Sequence, residues 1–547
     1  MARPAALLKR SLIFVHRWLG VALSVIFLIW FASGIVMMYW TFPDVTAADR
    51  LERAPALDAG RITLSAEQAY ATLGRDQPPA QVRLTSFDGR PVYRFGGGGR
   101  GGGSGRGGGA SMVYADDGSA QTEVNDAMFD RVAAAWAGRP VAEAKKTSVD
   151  EVDQWTVAAL RNVRPLFKYS WPDGQQVYVN GNTAEVAQYT TTASRTWAYL
   201  GAIPHWMYFT PLRKHQPQWL SLVVWSSLIG TVAALIGVVI IILMYSPRKR
   251  YRHAGAPTSI PYRGWKRWHA IAGLFFGVVT TTWAFSGMLS MGPFPIIDKL
   301  TELTVPADPP RQGADNAAGR GGGRGGARGP NIAGALRGSE RFRLSSYQAR
   351  DEKTAIASLA GFDVRELEYT SFAGEPVYMA TNARGETRIV PVRGEPMEAF
   401  DTDAVTKVVG EAAGSNLAEL RIKDEYDAYY LDRRREAPLP VIYARMSDAV
   451  GTRYYVDPKT ARVVATYSQR NWVNRWLYHG LHSLDFPWLY KYRPLWDIVV
   501  ITLMLGGTAL CVTSLVLTYR VLAKKLAAAV RARFTAPNED LPLEIKA

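Results

Sequence analysis

The sequence predicts a membrane α-helical protein with four transmembrane helices, a tandem parallel repeat and two external α+β domains. Three observations predict it. Four long stretches carry no charge, Lys and Arg cluster in the short flanks between and beside them, and residue patterns recur at fixed spacings.

The stretches Trp18–Trp40, Trp219–Tyr245, Trp268–Ile297 and Ile498–Tyr519 contain no Asp, Glu, Lys or Arg. Each exceeds the roughly 20 residues that cross a hydrocarbon core of about 30 Å. The first is too long for a signal-peptide core, and Ile35–Trp40 offers no small-residue cleavage site. It reads as a retained anchor.

The net charge of +16 is carried largely by short flanks. Lys9, Arg10 and Arg17 precede the first stretch. Arg248, Lys249, Arg250, Arg252, Arg263, Lys266 and Arg267 lie between the second and third, with no acid among them. Arg520, Lys524, Lys525, Arg531 and Arg533 follow the fourth. The positive-inside rule makes these segments, and so both termini, cytoplasmic, and places two long loops outside. Arg213, Lys214, Lys491 and Arg493 oppose the rule but are outnumbered. This placement accounts for the basic balance, so lipid is the expected partner and nucleic acid is not. The single cysteine, Cys511, excludes an intrachain disulfide, a four-cysteine iron–sulfur site and covalent CxxCH haem attachment.

The repeat is visible in residue offsets. His16, Gly20, Trp30, Ser33 and Gly34 recur 253 residues later as His269, Gly273, Trp283, Ser286 and Gly287. His205, Phe209, Leu212, Trp219 and Gly230-Thr231 recur 277 residues later as His482, Phe486, Leu489, Trp496 and Gly507-Thr508, as do Tyr178-Val179 and Thr183 in Tyr455-Val456 and Thr460. Thr85-Ser86-Phe87-x-Gly89-x-Pro91-Val92-Tyr93 returns as Thr370-Ser371-Phe372-x-Gly374-x-Pro376-Val377-Tyr378. Each half crosses the membrane twice, so the halves share one orientation and are related by an axis near the membrane normal.

The external loops read as α+β. Leu64–Leu73 has a Ser cap and helical spacing. Gln81–Phe95 alternates and breaks at Asp88-Gly89, a hairpin signal. Gln176–Thr183 and Tyr454–Thr460 each predict a strand and turn. Two Gly/Arg inserts, Gly96–Ala110 and Gly319–Pro330, fall at different places in the halves and read as cationic surface loops outside the shared core. The expected division is residues 1–40 (first span), 41–204 (first external domain, insert 96–110), 205–245 (outer His segment and second span) and 246–265 (basic loop). Residues 266–297 (third span), 298–475 (second external domain, insert 319–330), 476–520 (outer His segment and fourth span) and 521–547 (tail) complete it.

Histidine carries the functional signal. Of seven, four form two repeat-related pairs: His16 with His269 at the cytoplasmic ends of spans, and His205 with His482 just ahead of spans on the outside. A lone histidine at a helix end is ordinarily an interface residue, but four at matched positions point to function. A bis-imidazole haem needs two neutral His nitrogens approaching one iron from opposite sides, which two helices related by a pseudo-two-fold supply. Two pairs would place one haem near each face. Gly20 and Gly273, on the same helical face as the inner histidines, would let a porphyrin approach. Arg17, Lys266 and Arg267 inside, and Trp206, Arg213, Tyr478 and Arg493 outside, could serve the propionates. His479 lies three residues before His482 with Ala202 at its repeat position, so the repeat favours His482 as ligand and leaves His479 as an alternative ligand or substrate group. His215 and His253 lack repeat partners and read as surface residues.

The His-led span, external domain and second His-led span resemble the PepSY-associated transmembrane family, especially in Trp476–Pro487 and Tyr455–Thr460. That family includes bacterial inner-membrane reductases that release iron from ferric siderophores with b-type haems. The resemblance implies haem ligation by His16, His269, His205 and His482. The expected function is a di-haem b cytochrome moving electrons outward across a bacterial inner membrane. No Rossmann fingerprint follows a strand, so a quinol or a separate cytosolic reductase would be the donor. A periplasmic ferric chelate would be the acceptor, because reduction weakens iron binding to hard oxygen ligands. The alternative is a membrane-anchored PepSY protein that binds peptides or regulates a peptidase. A transporter is disfavoured, because no span holds a mid-depth ionisable residue for ion coupling.

Overall fold

The structure, a computed structural model, describes residues 4–96, 111–291, 330–338, 343–432 and 435–535. Apart from Gly96 and Pro330, the two Gly/Arg inserts lie outside the described residues.

Four helices are long and apolar enough to cross a membrane. They are α1 (Pro4–Met37), α2 (Gln216–Met244), α3 (Trp265–Leu289) and α4 (Leu495–Thr535). α1 begins well before the uncharged stretch, because Lys9 and Arg10 are good helix formers that keep the backbone ladder intact. For the same reason α4 runs past the expected boundary at residue 520 through Lys524 and Lys525. α3 ends at Leu289; the expected continuation to residue 297 falls outside the described residues from 292 on.

The helices form a ring in which α1 and α3 each touch both α2 and α4, so α1 and α3 stand on opposite sides of its centre. Glycines let the aromatic rings of neighbouring helices close the ring. Phe27 seats on Gly230, and Phe31 and Phe276 seat on Gly507 and Gly506; a methyl at any of the three would collide with the ring. Phe275, 69 % exposed, and Trp268, 62 %, mark faces turned away from the ring, as a lipid solvent permits.

The rest is α+β. The first half contributes β1 (Gln81–Phe87), β2 (Arg90–Gly96), β3 (Ser111–Tyr114), β4 (Lys145–Ser148), β5 (Leu166–Ser170), β6 (Gln176–Asn180) and β7 (Val186–Thr190). Between the second and third spanning helices, β8 (Tyr251–His253) and β9 (Ala256–Thr258) make a small hairpin. The second half supplies β10 (Glu366–Phe372), β11 (Glu375–Thr381), β12 (Thr387–Pro391), β13 (Leu417–Lys423), β14 (Val441–Met446), β15 (Arg453–Asp457) and β16 (Arg462–Tyr467).

Local sequence explains the elements. Ser65 and Gln68 form a capping box on the helix Ala66–Ala71, shorter at both ends than the periodicity suggests. Asp88 and Gly89 take φ values of 50° and 71°, so β1 and β2 join through the two left-handed residues a tight hairpin needs. Two four-stranded sheets, β4-β5-β6-β7 and β13-β14-β15-β16, belong one to each half. The third sheet, β12-β11-β10-β1-β2-β3, does not: β1 pairs antiparallel with β10, so one six-stranded sheet is shared by both halves. Its core is common as well, with Val82, Leu84 and Tyr93 packed in one cluster with Leu367, Tyr369 and Tyr378. Glu352, 4 % exposed, accepts from the Ala66 backbone N–H at 2.9 Å and from the Tyr369 hydroxyl, pinning the halves together from inside.

Candidate functional site: two histidine pairs

All four repeat-matched histidines come together in pairs. His16 of α1 and His269 of α3 face one another across the ring, with ring centres 6.1 Å apart and planes at 40°. This pair lies toward the end that carries both chain termini. His205 and His482 sit on short helices, Ala202–Trp206 and Leu481–Ser483, at the opposite, domain-bearing end. Their ring centres are also 6.1 Å apart, with planes at 61°. His479 is not the partner of His205; its ring lies against Tyr478, with centres 4.7 Å apart.

The two outer histidines are held by matched devices. After each, one residue takes the left-handed conformation and turns the chain back toward the next spanning helix: Met207 at φ 54° and Leu484 at φ 51°. The Trp219 indole N–H donates to the Trp206 carbonyl at 2.9 Å, and the Trp496 indole donates to the Ser483 carbonyl at 3.1 Å. In each case a spanning-helix tryptophan fixes the residue that follows the histidine. The approach to His482 differs from that to His205: Val473–Gly480 is π-helical, whereas the first half uses the α-helix Thr192–Leu200 and a break at Gly201.

Each imidazole is oriented through Nδ1. His16 Nδ1 meets the Ala233 carbonyl at 2.9 Å, and His205 Nδ1 meets the Trp30 carbonyl at 3.1 Å. A carbonyl only accepts, so both Nδ1 atoms carry the proton. His269 Nδ1 meets the Thr513 hydroxyl at 3.0 Å, and that hydroxyl donates its own proton to the Leu510 carbonyl at 2.8 Å. His482 Nδ1 meets the Ser286 hydroxyl at 3.2 Å, and Ser286 donates to the Trp283 carbonyl at 3.2 Å. These hydroxyls therefore accept from the rings. In His16 and His205 the proton on Nδ1 leaves the lone pair on Nε2, the form in which imidazole binds a metal. Burial pushes His205 down to about 4 against the bond to Trp30, so this ring is neutral near pH 7.

Space stays open beside Gly20 and Gly273, and the imidazole rings themselves rest on other glycines. A methyl on Gly20 would meet only Ser514 Oγ at 3.7 Å, and one on Gly273 only Leu510 Cδ1 at 3.9 Å. The rings rest instead on Gly237, where a methyl would lie 2.7 Å from His16 Cε1, and near Gly34 and Gly287, at 3.4 Å from His205 Cε1 and 3.3 Å from His482 Cε1.

A cavity of about 300 Å³ holds the outer pair, walled by Phe27, Trp30, Phe31, Trp283 and Met504 on the ring side and by Trp206 and Tyr208 on the domain side. The Trp283 indole N–H, buried in this wall, meets no acceptor among the described residues. Behind Tyr208 and Trp219 lies Arg213, 7 % exposed, stacked on both rings at 5.0 and 4.3 Å, with Nε and one terminal nitrogen meeting no acceptor among the described residues. Arg493 is committed to an ion pair with Asp497, and Arg267 donates to the Thr258 hydroxyl at 3.1 Å.

In each pair the two imidazoles, with ring centres 6.1 Å apart, would hold one haem iron between them. Among the described residues no three His, Cys, Asp or Glu converge on one point. Two imidazoles alone suit an iron that brings its remaining ligands in a macrocycle. The aromatic cavity matches a flat apolar group. The residues present fit the group.

Fold and site together define a protein with four membrane-type helices, two buried histidine pairs and an α+β domain at one end. The chain belongs to the family of the PepSY-associated TM region, which it matches over residues 13–373. The match takes in His16, His205 and His269; His482 lies beyond it. No curated protein and no solved structure matches the chain.

Proposed function

We propose that this protein is a di-haem b-type cytochrome that passes single electrons across a bacterial inner membrane to a ferric chelate. In this reading the two halves are a parallel tandem repeat, both termini are cytoplasmic and the α+β domains are periplasmic. The observation that supports it most is the spacing: two histidine pairs, each with ring centres 6.1 Å apart and each ring oriented through Nδ1.

Haem b, when bound, supplies a one-electron ferric/ferrous couple. The chain's own residues do the rest. His16 with His269, and His205 with His482, would hold the two groups, with Ala233, Thr513, Trp30 and Ser286 fixing ring tautomer and rotation. The aromatic wall excludes water from the outer pair, and Arg213 stacks behind Tyr208 and Trp219 to hold that wall in place. Electron balance is simple: the donor, a quinol or a cytosolic reductase, gives up one electron, and one ferric ion of the chelate becomes ferrous.

The reading is tested by the visible spectrum of the purified protein. A Soret band, a dithionite-induced α-band and two haems per chain are expected; a colourless protein would overturn it. Gly237→Val adds a check at the inner site. Its first side-chain carbon would stand 2.7 Å from His16 Cε1, an overpacking cost of about 1–3 kcal/mol. The variant should lose inner haem selectively at unchanged expression. The alternative, a peptide-binding or peptidase-regulating anchor, would use the cleft of about 750 Å³ beside β16, bordered by Arg337, Glu368, Tyr454 and Arg462. It predicts no chromophore.

A further inference from the structure

The two halves hold their inner histidines differently. In the first half the contact is direct: His16 Nδ1 donates to the Ala233 carbonyl at 2.9 Å. The residue 277 positions on is Leu510, whose carbonyl likewise faces the His269 ring. Here Thr513 adds a hydroxyl that touches both. Its hydroxyl accepts from His269 Nδ1 at 3.0 Å and donates to the Leu510 carbonyl at 2.8 Å. The first-half counterpart of Thr513 is Ile236, which has no hydroxyl to offer. Thr513 is buried at 8 % exposure, so water does not compete for this chain of bonds. Both outer histidines have serine partners at matched positions, Ser33 and Ser286. At the outer pair a serine hydroxyl stands beside each ring, whereas at the inner pair only His269 has a hydroxyl beside it.

The acceptor at Nδ1 matters to whatever Nε2 binds. An N–H that donates to a strong acceptor lends electron density to the ring and raises the basicity of the opposite nitrogen. A more basic ligand stabilises the more highly charged metal state. A hydroxyl that has passed its own proton to a carbonyl is polarised by that bond and accepts better than an isolated one. It remains an acceptor that a single side-chain change can remove, which the Ala233 carbonyl is not.

We infer that Thr513 is a positioning residue that fixes His269 through its hydroxyl and thereby sets the reduction potential of the inner haem separately from that of the outer one. The inference rests on the di-haem reading. It goes beyond that reading by assigning the potential of one site to one hydroxyl in the fourth spanning helix. The sign follows from the chemistry. Without the hydroxyl, the His269 N–H keeps only the Leu510 carbonyl beside it and loses its better-placed acceptor, the ring would donate less to iron, and the ferric state would lose stability. The potential should rise.

The experiment is a potentiometric titration of the full-length purified protein, parent against Thr513→Val and Thr513→Ser. Valine keeps the volume and removes the hydroxyl; serine keeps the hydroxyl. In Thr513→Val the ferrous-to-ferric ratio of the inner haem at a fixed potential should increase about fivefold, the effect of one hydrogen bond of about 1 kcal/mol, or about 40 mV at 59 mV per decade. The outer haem should keep its midpoint, and Thr513→Ser should stay close to the parent. Loss of inner haem from the valine variant alone would also support the inference. An inner midpoint unchanged or lowered in the valine variant would overturn it, as would equal loss of inner haem from both variants. The histidine variants separate this from the parent reading. If His16→Ala and His269→Ala retain both haems, it is the di-haem reading that fails.

Discussion

His482→Ala should remove one haem of two, halving the Soret absorbance per chain, and His205→Ala should remove the same one. The two rings are 6.1 Å apart and neither has a substitute within the pair. Loss of supporting contacts around a metal ligand typically costs 10–100-fold in affinity, and loss of the ligand itself should cost at least about 100-fold. His479→Ala is the discriminating control. Its ring lies against Tyr478, and the variant should keep both haems. Acceptor reduction should fail in His482→Ala while the inner haem stays reducible from the donor side. The measurements are haem content per chain and stopped-flow oxidation in proteoliposomes with a ferric chelate on the domain side. An outer haem lost from His479→Ala and kept in His482→Ala would reverse the ligand assignment.

At the other end, His16→Ala and His269→Ala should be indistinguishable from each other and different from the outer variants. Each should lose the inner haem and block electron entry, while the outer haem remains reducible by dithionite. A fall of at least about 100-fold in donor-driven reduction of the outer haem is expected. A single-site lesion that left donor-driven reduction of the outer haem intact would show that electrons reach it by a route that avoids the inner pair.

The spans and the histidine pairing were legible because their signals are local or periodic. Uncharged runs mark the helices, Asp88-Gly89 marks a turn that needs two left-handed residues, and the offsets of 253 and 277 pair the histidines without reference to three dimensions. What was not legible depends on packing. The ring of His16 leans on Gly237 of α2, a neighbour chosen by how helices meet. The Nδ1 acceptors on His16 and His205 are backbone carbonyls, which every residue possesses and no sequence pattern announces. Thr513 had a weak signal: it is a buried hydroxyl opposite an aliphatic counterpart, Ile236. The pairing of β1 with β10 had none, since a strand's partner 285 residues away leaves no local trace.

That pairing has a consequence for how the two halves can exist. Its register is almost that of a symmetric dimer. Val82 stands opposite Tyr369 and Leu84 opposite Leu367, and each of these is the repeat counterpart of the other's partner, with Arg83 and Glu368 at the centre. A half produced alone would expose β1 as a bare edge. It could complete its sheet and its histidine pairs only against a second copy of itself, as a two-fold homodimer does. In such a homodimer the central position would set Arg83 against Arg83, or Glu368 against Glu368, and like charges directly opposite on paired strands repel. In the joined chain the centre is an arginine facing a glutamate, with Arg83 also 3.8 Å from Glu366. The centre of the seam favours association of unlike halves over pairing of a half with its own copy.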